Sequence, residues 1–176
     1  MKMNNIALIG YRGSGKSTVA KLLAANLGWD SVDTDEMVVE TAQKSIRQIF
    51  EEDGEATFRE YEKVCLEYIL EHEQLVIATG GGIIIQPENC ARLRQNAWVV
   101  FLDLPPVQLW QRIQADTQTT ENRPNLAGGG REEIETILAR RRPIYESLAN
   151  DHLHISGMTP EEIVSAIIAN LPGEKD

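Results

Sequence analysis

The sequence predicts an α/β domain in three layers, with a five-stranded parallel sheet and helices on both faces. Short apolar segments alternate with helical segments along the chain, and a glycine-rich loop follows the first apolar segment directly. Strands that are apolar on both faces are typical of parallel sheets that are covered by helices. The chain has 176 residues and no internal repeat or linker, so we expect a single domain over residues 1–176.

Each element is predicted from its local pattern. Apolar, β-branched runs indicate strands at 5–10, 31–35, 75–85, 97–106 and 152–156, although glycines interrupt the third. Apolar residues at helical spacing indicate helices at 16–28, 36–43, 45–54, 55–73, 88–96, 107–116, 131–150 and 159–172. The polar segment 117–130 is predicted to be a loop, and residues 172–176 a frayed tail.

Charge and composition limit the classes of partner. The formal net charge is −10, from 27 acidic and 17 basic residues, which argues against nucleic acid or an anionic membrane as a partner. No apolar run is long enough for a membrane span, and the first residues lack a signal-peptide pattern. Cys65 and Cys90 have no metal-ligand spacing. We therefore expect a cytoplasmic, monomeric protein that acts on small molecules.

Three consecutive glycines stand in the third apolar segment, "LVIATGGGIII". Glycine weakens a strand because it adds no packing and loses the most backbone freedom on folding. One explanation for Gly80, Gly81 and Gly82 is a bulge or a tight connection. The other is a ligand that approaches the backbone more closely than a Cβ atom would permit.

The segment Gly10–Ser17, "GYRGSGKS", has the pattern of a phosphate-binding loop, or P-loop. It lies between a predicted strand and a predicted helix, so its backbone N–H groups can converge on phosphates at the positive end of the helix. Lys16 would reach the β- and γ-phosphates, and the Ser17 hydroxyl could ligate Mg²⁺. The sequence therefore predicts a site for a nucleoside triphosphate.

Two carboxylates follow the second apolar segment, in "VDTDEMV". Because residues two apart in a strand face the same way, Asp33 and Asp35 could both point into one site. Alternatively, Thr34 or Asp35 could cap the following helix. The chain has no N-K-x-D guanine motif, so phosphoryl transfer to a small acceptor is the expected use of the nucleotide.

An ordered set of segments resembles the shikimate kinases: "GYRGSGKST", "DTD", "SIRQIFEEDGEATFREYE", "ATGGG", "RP" and "RRRPIY". The resemblance runs from the first strand to the strand at 152–155. It implies transfer of the γ-phosphate of ATP to the 3-hydroxyl of shikimate, on the route to aromatic amino acids, with Mg²⁺ as the cofactor. It also implies an acceptor-binding helical region at about 36–62 and a lid at about 117–130.

The resemblance also implies roles for individual residues. The residues it assigns to ATP are Gly13, Ser14, Gly15, Lys16, Ser17, Thr18, Arg112 and Arg123. The residues it assigns to shikimate are Asp35, Arg59, Gly81, Gly82 and Arg141. It assigns Ser17 and Asp33 to the metal, and Lys16, Asp35 and Arg123 to catalysis. With Gly81 against the acceptor, any side chain at that position would occupy the place of the ring.

Other charged residues leave alternatives open. Arg59 could merely pair with Glu55 or Glu62 on its own helix. Among the three arginines at 140–142, we expect only Arg141 to enter a cleft, because Pro143 removes a helical hydrogen bond and could kink the helix. The other two are expected to lie on a solvated face.

His152 and His154 alternate on the last strand and are expected to be polar residues of an edge strand, since no third metal ligand stands nearby in sequence. The predicted lid departs from the family pattern, because Asn125 replaces an apolar residue and the loop ends in "AGGG". Two other functions stay open: another small-molecule kinase, of gluconate or a nucleoside monophosphate, and a non-catalytic nucleotide-binding relative.

Overall fold

Five strands alternate with helices in the computed structural model, which describes residues 4–116 and 130–173. The strands are β1 (Asn5–Ile9), β2 (Asp30–Asp33), β3 (Leu75–Ala78), β4 (Trp98–Asp103) and β5 (Asp151–His154). The helices are α1 (Lys16–Leu27), α2 (Thr34–Ala42), α3 (Ile46–Gln48), α4 (Gly54–Ile69), α5 (Pro87–Asn96), α6 (Pro106–Ala115), α7 (Gly130–Leu148) and α8 (Pro160–Asn170). A π-helical turn spans Ile49–Asp53, and a 3₁₀ turn spans Ile83–Ile85.

The strands form one parallel sheet in the order β2-β3-β1-β4-β5. β1 is central: Ile6 lies opposite Val76 of β3 on one side and Trp98 of β4 on the other. All five residues of β1 are buried, as expected for a strand that helices cover on both faces. The predicted fold class is confirmed, and the carboxyl ends of β1, β2 and β3 meet at one edge of the sheet.

A second, smaller apolar cluster lies beneath the short helices that follow β2. It consists of Val38, Ile46, Ile49, Phe58 and Cys65, and it is separate from the main core around the sheet. The Ser45 side chain and the Gln48 side chain form a capping box that starts α3. This cluster stabilises the region that we predicted to bind the acceptor.

The glycine segment is not part of a strand, which corrects the prediction for residues 75–85. β3 ends at Ala78, and the chain then leaves the sheet through Gly80–Gly82 into the 3₁₀ turn. The N–H of Ile83 donates to the carbonyl of Gly80, and that of Ile85 to Gly82. The pattern was misleading because the three isoleucines after the glycines have strong β-propensity. Ile83 and Ile84 are buried because the turn packs on the core, while Ile85 is exposed.

Two other predicted boundaries are wrong. The second strand ends at Asp33 and not at residue 35, because Thr34 and Asp35 already belong to the first turn of α2. Helix α4 ends at Ile69 and not at residue 73, since the chain turns back there and Gln74 adopts a left-handed φ of 62° before β3. Helix α7 does continue through Pro143, as predicted.

Trp29, Trp98 and Trp110 are partly buried against the main core, and both cysteines are free thiols. No helix within residues 4–116 and 130–173 is both long and apolar enough to span a membrane. The single-domain division and the acceptor region at 36–62 stay predictions. Residues 117–129 of the predicted lid and 174–176 of the tail lie outside the described residues.

Candidate active site

The loop between β1 and α1 has the backbone that a phosphate site requires. Gly10 has a φ of 145°, and a Cβ atom there would lie 2.7 Å from the carbonyl oxygen of Leu102 in β4. Gly15 has a φ of 91° immediately before the first residue of α1. Residues other than glycine rarely adopt a backbone φ in this range. Glycine at these positions therefore permits the loop to curl over the helix N-terminus. The predicted P-loop is present in its expected place.

Lys16 is held within this loop. Its side chain is buried, and Nζ donates hydrogen bonds of 2.9 Å to the carbonyl oxygens of Gly10 and Tyr11. Ser14 is also buried, and its hydroxyl lies 3.4 Å from the same ammonium group. These contacts fix a positive charge at the N-terminus of α1, where the helix dipole adds to it.

Ser17 and Asp33 meet across the cleft between α1 and β2. The Ser17 hydroxyl donates to Oδ2 of Asp33 at 2.5 Å, while Oδ1 of Asp33 accepts from the backbone N–H groups of Asp35 and Glu36. Asp33 is therefore the N-cap of α2, and neither Thr34 nor Asp35 is. The argument that Asp33 and Asp35 share one face of a strand is wrong, because only Asp33 belongs to the strand.

Asp35 points into the site from the first turn of α2. Its side chain is buried, and Oδ1 would lie only 2.6 Å from a Cβ atom at Gly80. Thr34 is fully buried and accepts a 2.8 Å hydrogen bond from the Gly80 N–H. Helix α2 and the glycine segment are thus locked together, and this contact sets the position of Asp35.

Next to the P-loop lies a pocket that brings together every residue predicted to bind the acceptor. Asp35, Arg59, Gly81, Gly82 and Arg141 all line it. The other lining residues are Tyr11, Arg12, Ile46, Phe50, Phe58, Glu62, Glu133 and Ile137. The pocket therefore offers three cations, three carboxylates and an apolar wall to one small ligand.

Arg59 both pairs within its helix and lines this pocket. Its Nη1 contacts the carboxylate of Glu62 at 2.5 Å, and its Nη2 contacts Glu55 at 2.9 Å. Burial raises the pKa of the Glu62 carboxyl, an effect that the neighbouring Arg59 guanidinium opposes. Because the Arg59 side chain is only 10% exposed, these pairs hold its guanidinium in one orientation within the pocket.

Arg141 reaches the glycine segment from α7. Its Nη1 donates to the Gly81 carbonyl at 3.3 Å, and the Tyr145 hydroxyl donates to the same oxygen. Burial raises the pKa of Tyr145 to about 12, so this phenol keeps its proton at neutral pH. The expectation that Arg141 enters a cleft fits these contacts.

Arg140 and Arg142 were both expected to lie on a solvated face, and the expectation is wrong for Arg142. Arg140 is exposed, as predicted. Arg142 instead forms two hydrogen bonds, of 2.5 and 2.8 Å, with the buried carboxylate of Asp103 at the end of β4. Successive residues of a helix are rotated by about 100° around its axis, so the Arg142 side chain points toward β4 and away from the pocket that Arg141 lines.

The three glycines have separate neighbours, which answers the question that the sequence raised. A Cβ atom at Gly80 would meet Asp35, and one at Gly82 would lie 2.6 Å from Nη1 of Arg59. At Gly81 it would meet the P-loop backbone, 3.3 Å from both the Gly10 oxygen and the Arg12 nitrogen. The segment is therefore glycine-rich because the acceptor-pocket side chains and the P-loop pack against it. The expectation that a Gly81 side chain would occupy the place of the ring stays a prediction.

Most of the residues predicted to bind the nucleotide line a second, larger cavity, whereas Ser14 is buried and does not line it. The cavity is lined by Gly13, Gly15, Lys16, Ser17, Thr18, Asp33 and Arg112, among others. Arg112 on α6 donates a long hydrogen bond of 3.4 Å to the Ser14 carbonyl. Arg123, the predicted lid arginine, lies outside the described residues. Arg12, Asp35 and Ile46 line both cavities, so the two sites adjoin at these residues.

Comparisons with known proteins agree with this geometry. The family model "Shikimate kinase" matches residues 12–172. The chain belongs to the shikimate kinase family. A curated shikimate kinase from Persephonella marina is 38% identical over 169 residues, which are 96% of this chain and 99% of the relative. One from Rhodopirellula baltica is 36% identical over 173 residues, which are 98% and 92% of the two chains.

Solved structures give the same assignment. The shikimate kinase from Acinetobacter baumannii in complex with shikimate is 31% identical, with a TM-score of 0.89 over 97% of each chain. The enzyme from Aquifex aeolicus is 35% identical, with a TM-score of 0.79 over 95% of each chain. A gluconokinase from Sinorhizobium meliloti is 19% identical with a TM-score of 0.58, which shows a shared fold alone. The protein is thus an ATP-dependent kinase of the shikimate kinase family.

Three residues of this shikimate kinase site were not predicted from the sequence. Glu62 was considered only as an ion-pair partner, yet it orients Arg59 inside the pocket. Arg12 stands at a variable position of the P-loop pattern, and nothing in the motif marked it as lining both cavities. Thr34 was considered only as a helix cap, yet its hydroxyl accepts a hydrogen bond from the Gly80 N–H. The roles of Arg12 and Thr34 depend on contacts between separate segments.

Replacing Gly82 with Ala should weaken shikimate binding at least about tenfold and should lower the melting temperature moderately. The added methyl group would displace the end of the Arg59 side chain, which moves a cation out of place and strains its ion pairs with Glu55 and Glu62. Calorimetric titration with shikimate and thermal melting would measure the two effects. Gly81→Ala is the matched variant: its methyl group meets rigid backbone, so it should lower the melting temperature more. Unchanged shikimate affinity in Gly82→Ala would contradict the assignment of Arg59.

Proposed function

We propose that the protein transfers the γ-phosphate of ATP to the 3-hydroxyl of shikimate, with the residue roles that follow. The observation that carries the proposal is the pair of adjoining cavities, one built on the P-loop and the other on Arg59 and Arg141. A phosphoryl donor and a small anionic acceptor bound in these cavities would meet at Asp35. Phosphoryl transfer depends chiefly on such positioning and on charge neutralisation.

The acceptor would be oriented by its two ends. Arg59 and Arg141 supply two cations in one pocket, and the planar guanidinium binds a carboxylate through parallel hydrogen bonds. Asp35 lies where this pocket joins the nucleotide cavity, so its carboxylate would accept from the ring hydroxyl group nearest ATP. Gly81 and Gly82 also line the acceptor pocket. This arrangement fixes which hydroxyl faces the phosphate.

The nucleotide phosphates would lie on the P-loop. The residues we assign to them are Gly13, Ser14, Gly15, Lys16, Ser17 and Thr18, with Arg112 beside the loop. Lys16 would leave the carbonyl oxygens that now hold it and donate to the transferring phosphate. Arg123 keeps its proposed role on the γ-phosphate from the family resemblance alone.

Ser17 and Asp33 are the proposed Mg²⁺ residues, and their chemistry fits that ion. Both present oxygen ligands, which Mg²⁺ prefers, and the two oxygens lie 2.5 Å apart at the nucleotide cavity. The second carboxylate oxygen of Asp33 caps α2, which holds the residue in place. When bound, Mg²⁺ would supply positive charge to the β- and γ-phosphates.

Asp35 is the group we propose to take the proton of the attacking hydroxyl. Asp35 is buried at the boundary of the two cavities. Asp33 caps α2, so the Asp35 carboxylate is not the cap of that helix. Lys16 and Arg12 place positive charge on the other side of that boundary, where charge develops on the phosphoryl oxygens. A cytoplasmic location, a monomeric state and the absence of a nucleic-acid partner stay predictions.

A coupled assay of ADP release would test the proposed reaction. We expect ATP turnover that depends on shikimate and is absent with gluconate or a nucleoside monophosphate as the acceptor. Turnover with gluconate would favour the alternative small-molecule kinase. Normal ATP binding without turnover on any acceptor would favour a non-catalytic relative.

Arg141→Ala should weaken shikimate binding at least about tenfold, because one of the two cations on the carboxylate is lost. Arg123→Ala should leave shikimate affinity in the absence of nucleotide within about threefold and should lower kcat instead. Calorimetry with shikimate alone, followed by steady-state kinetics, would compare the two variants. If shikimate binding were lost in Arg123→Ala and kept in Arg141→Ala, the two assignments would have to be exchanged.

A further inference from the structure

A cluster of potential metal ligands lies outside both cavities, at the end of β4 and on the edge strand β5. The nearest ligand atoms of Asp103, His152 and His154 all lie within 4.8 Å of one another, the one such group in the described part of the chain. His152 and His154 are two apart in β5 and therefore face the same way. Asp103 is the register partner of His154 in β4.

Three nitrogen atoms converge on one oxygen in this cluster. Oδ2 of Asp103 lies 3.0 Å from Nε2 of His152, 3.2 Å from Nδ1 of His154 and 2.5 Å from Nη1 of Arg142. A carboxylate oxygen has two lone pairs, so it cannot accept three good hydrogen bonds. A neutral imidazole carries one N–H and one lone pair, so the lone pair of a histidine can instead face this oxygen. A cation between the oxygen and the imidazoles would bind Oδ2 and one lone pair of each ring, while Arg142 keeps its hydrogen bond to Oδ1.

We propose that Asp103, His152 and His154 form a binding site for a divalent transition metal of the Zn²⁺ or Ni²⁺ class. Ligand atoms at about 2.0–2.2 Å from Zn²⁺ lie about 3.3–3.6 Å apart in a tetrahedron. The separations of 3.0 and 3.2 Å between Oδ2 of Asp103 and the two imidazoles therefore need to open by only a few tenths of an ångström, and the two histidine nitrogens lie within 4.8 Å of each other. Two imidazoles and one carboxylate favour these metals over Mg²⁺, which prefers oxygen ligands.

The surroundings provide both access and support. His154 is 76% exposed, which leaves a fourth position open to water. Asp103 is only 4% exposed, and Nη2 of Arg142 donates to its other oxygen, Oδ1, at 2.8 Å. That second hydrogen bond can persist when the metal takes Oδ2 in place of Nη1, and such outer contacts orient ligating carboxylates. The His152 ring stacks on Phe101 at 4.7 Å, which holds its plane.

Calorimetric titration of the metal-free protein with Zn²⁺, and separately with Ni²⁺, would test the site in the absence of nucleotide. We expect one equivalent to bind and excess Mg²⁺ not to compete. His154→Gln should weaken binding at least about tenfold without loss of fold, since this side chain is largely exposed. The matched controls are His72→Gln and Cys90→Ser, which remove other potential ligands and should leave the affinity unchanged.

Magnetic resonance of the histidine rings gives an independent readout. Addition of Zn²⁺ should shift the ring signals of His152 and His154 and leave those of His72 in place. Two results would overturn the proposal: His154→Gln binding Zn²⁺ as tightly as the wild type, or the ring signals of His72 moving in place of those of the other two histidines. Absence of one-to-one binding by the wild-type protein would mean that the cluster is an ion-pair network only.

Discussion

Lys16→Ala should lower kcat by at least about 100-fold, the typical loss when a preorganised group that stabilises transition-state charge is removed. The Lys16 side chain is buried in the P-loop at the N-terminus of α1, so its Nζ needs only to turn from two loop carbonyl oxygens toward the phosphate. Loss of this cation leaves the transferring phosphate with less positive charge. Steady-state kinetics with shikimate and ATP would measure the effect.

Lys21→Ala is the matched control for this variant. Lys21 lies on the same helix, is exposed and is absent from both cavities. We expect it to keep the wild-type kcat, and circular dichroism should show that both variants fold. A folded Lys16→Ala variant with more than about a tenth of the wild-type kcat would remove Lys16 from the catalytic group.

Asp35→Asn should also lower kcat steeply, by at least about 100-fold, while the affinity for ATP stays within about threefold. Asparagine keeps the size of the side chain but cannot take the proton of the acceptor hydroxyl. Because Asp33 and not Asp35 caps α2, the substitution should leave the start of the helix intact. Kinetics, nucleotide titration and thermal melting would separate the catalytic effect from a structural one.

Asp30→Asn serves as the control, since Asp30 is an exposed carboxylate on the same strand–helix unit and lines neither cavity. It should keep the wild-type rate. If Asp35→Asn retained near-normal kcat, the proton would have to leave the hydroxyl by another route. If it lowered the melting temperature in proportion to activity, Asp35 would be a structural residue.

The sequence alone determined the order of strands and helices along the chain, the fold class and the P-loop. These features depend on residues that are neighbours in the chain: apolar periodicity sets each element, and "GYRGSGKS" lies directly between β1 and α1. The family was also recognisable, because six segments follow one another with constant spacing. The residues predicted for the acceptor, such as Arg59 and Arg141, do line one pocket.

Only the tertiary structure decided what the individual polar residues contact. Gly81 meets Arg141 across 60 positions of sequence, and Asp103 meets Arg142 across 39. Local pattern carries no information on such pairs, so it placed Arg142 in solvent. It also extended β2 through Asp35, because a carboxylate that caps a helix and one that ends a strand look alike until the partner N–H groups are known. Packing between distant segments, and not local propensity, sets the direction of these side chains.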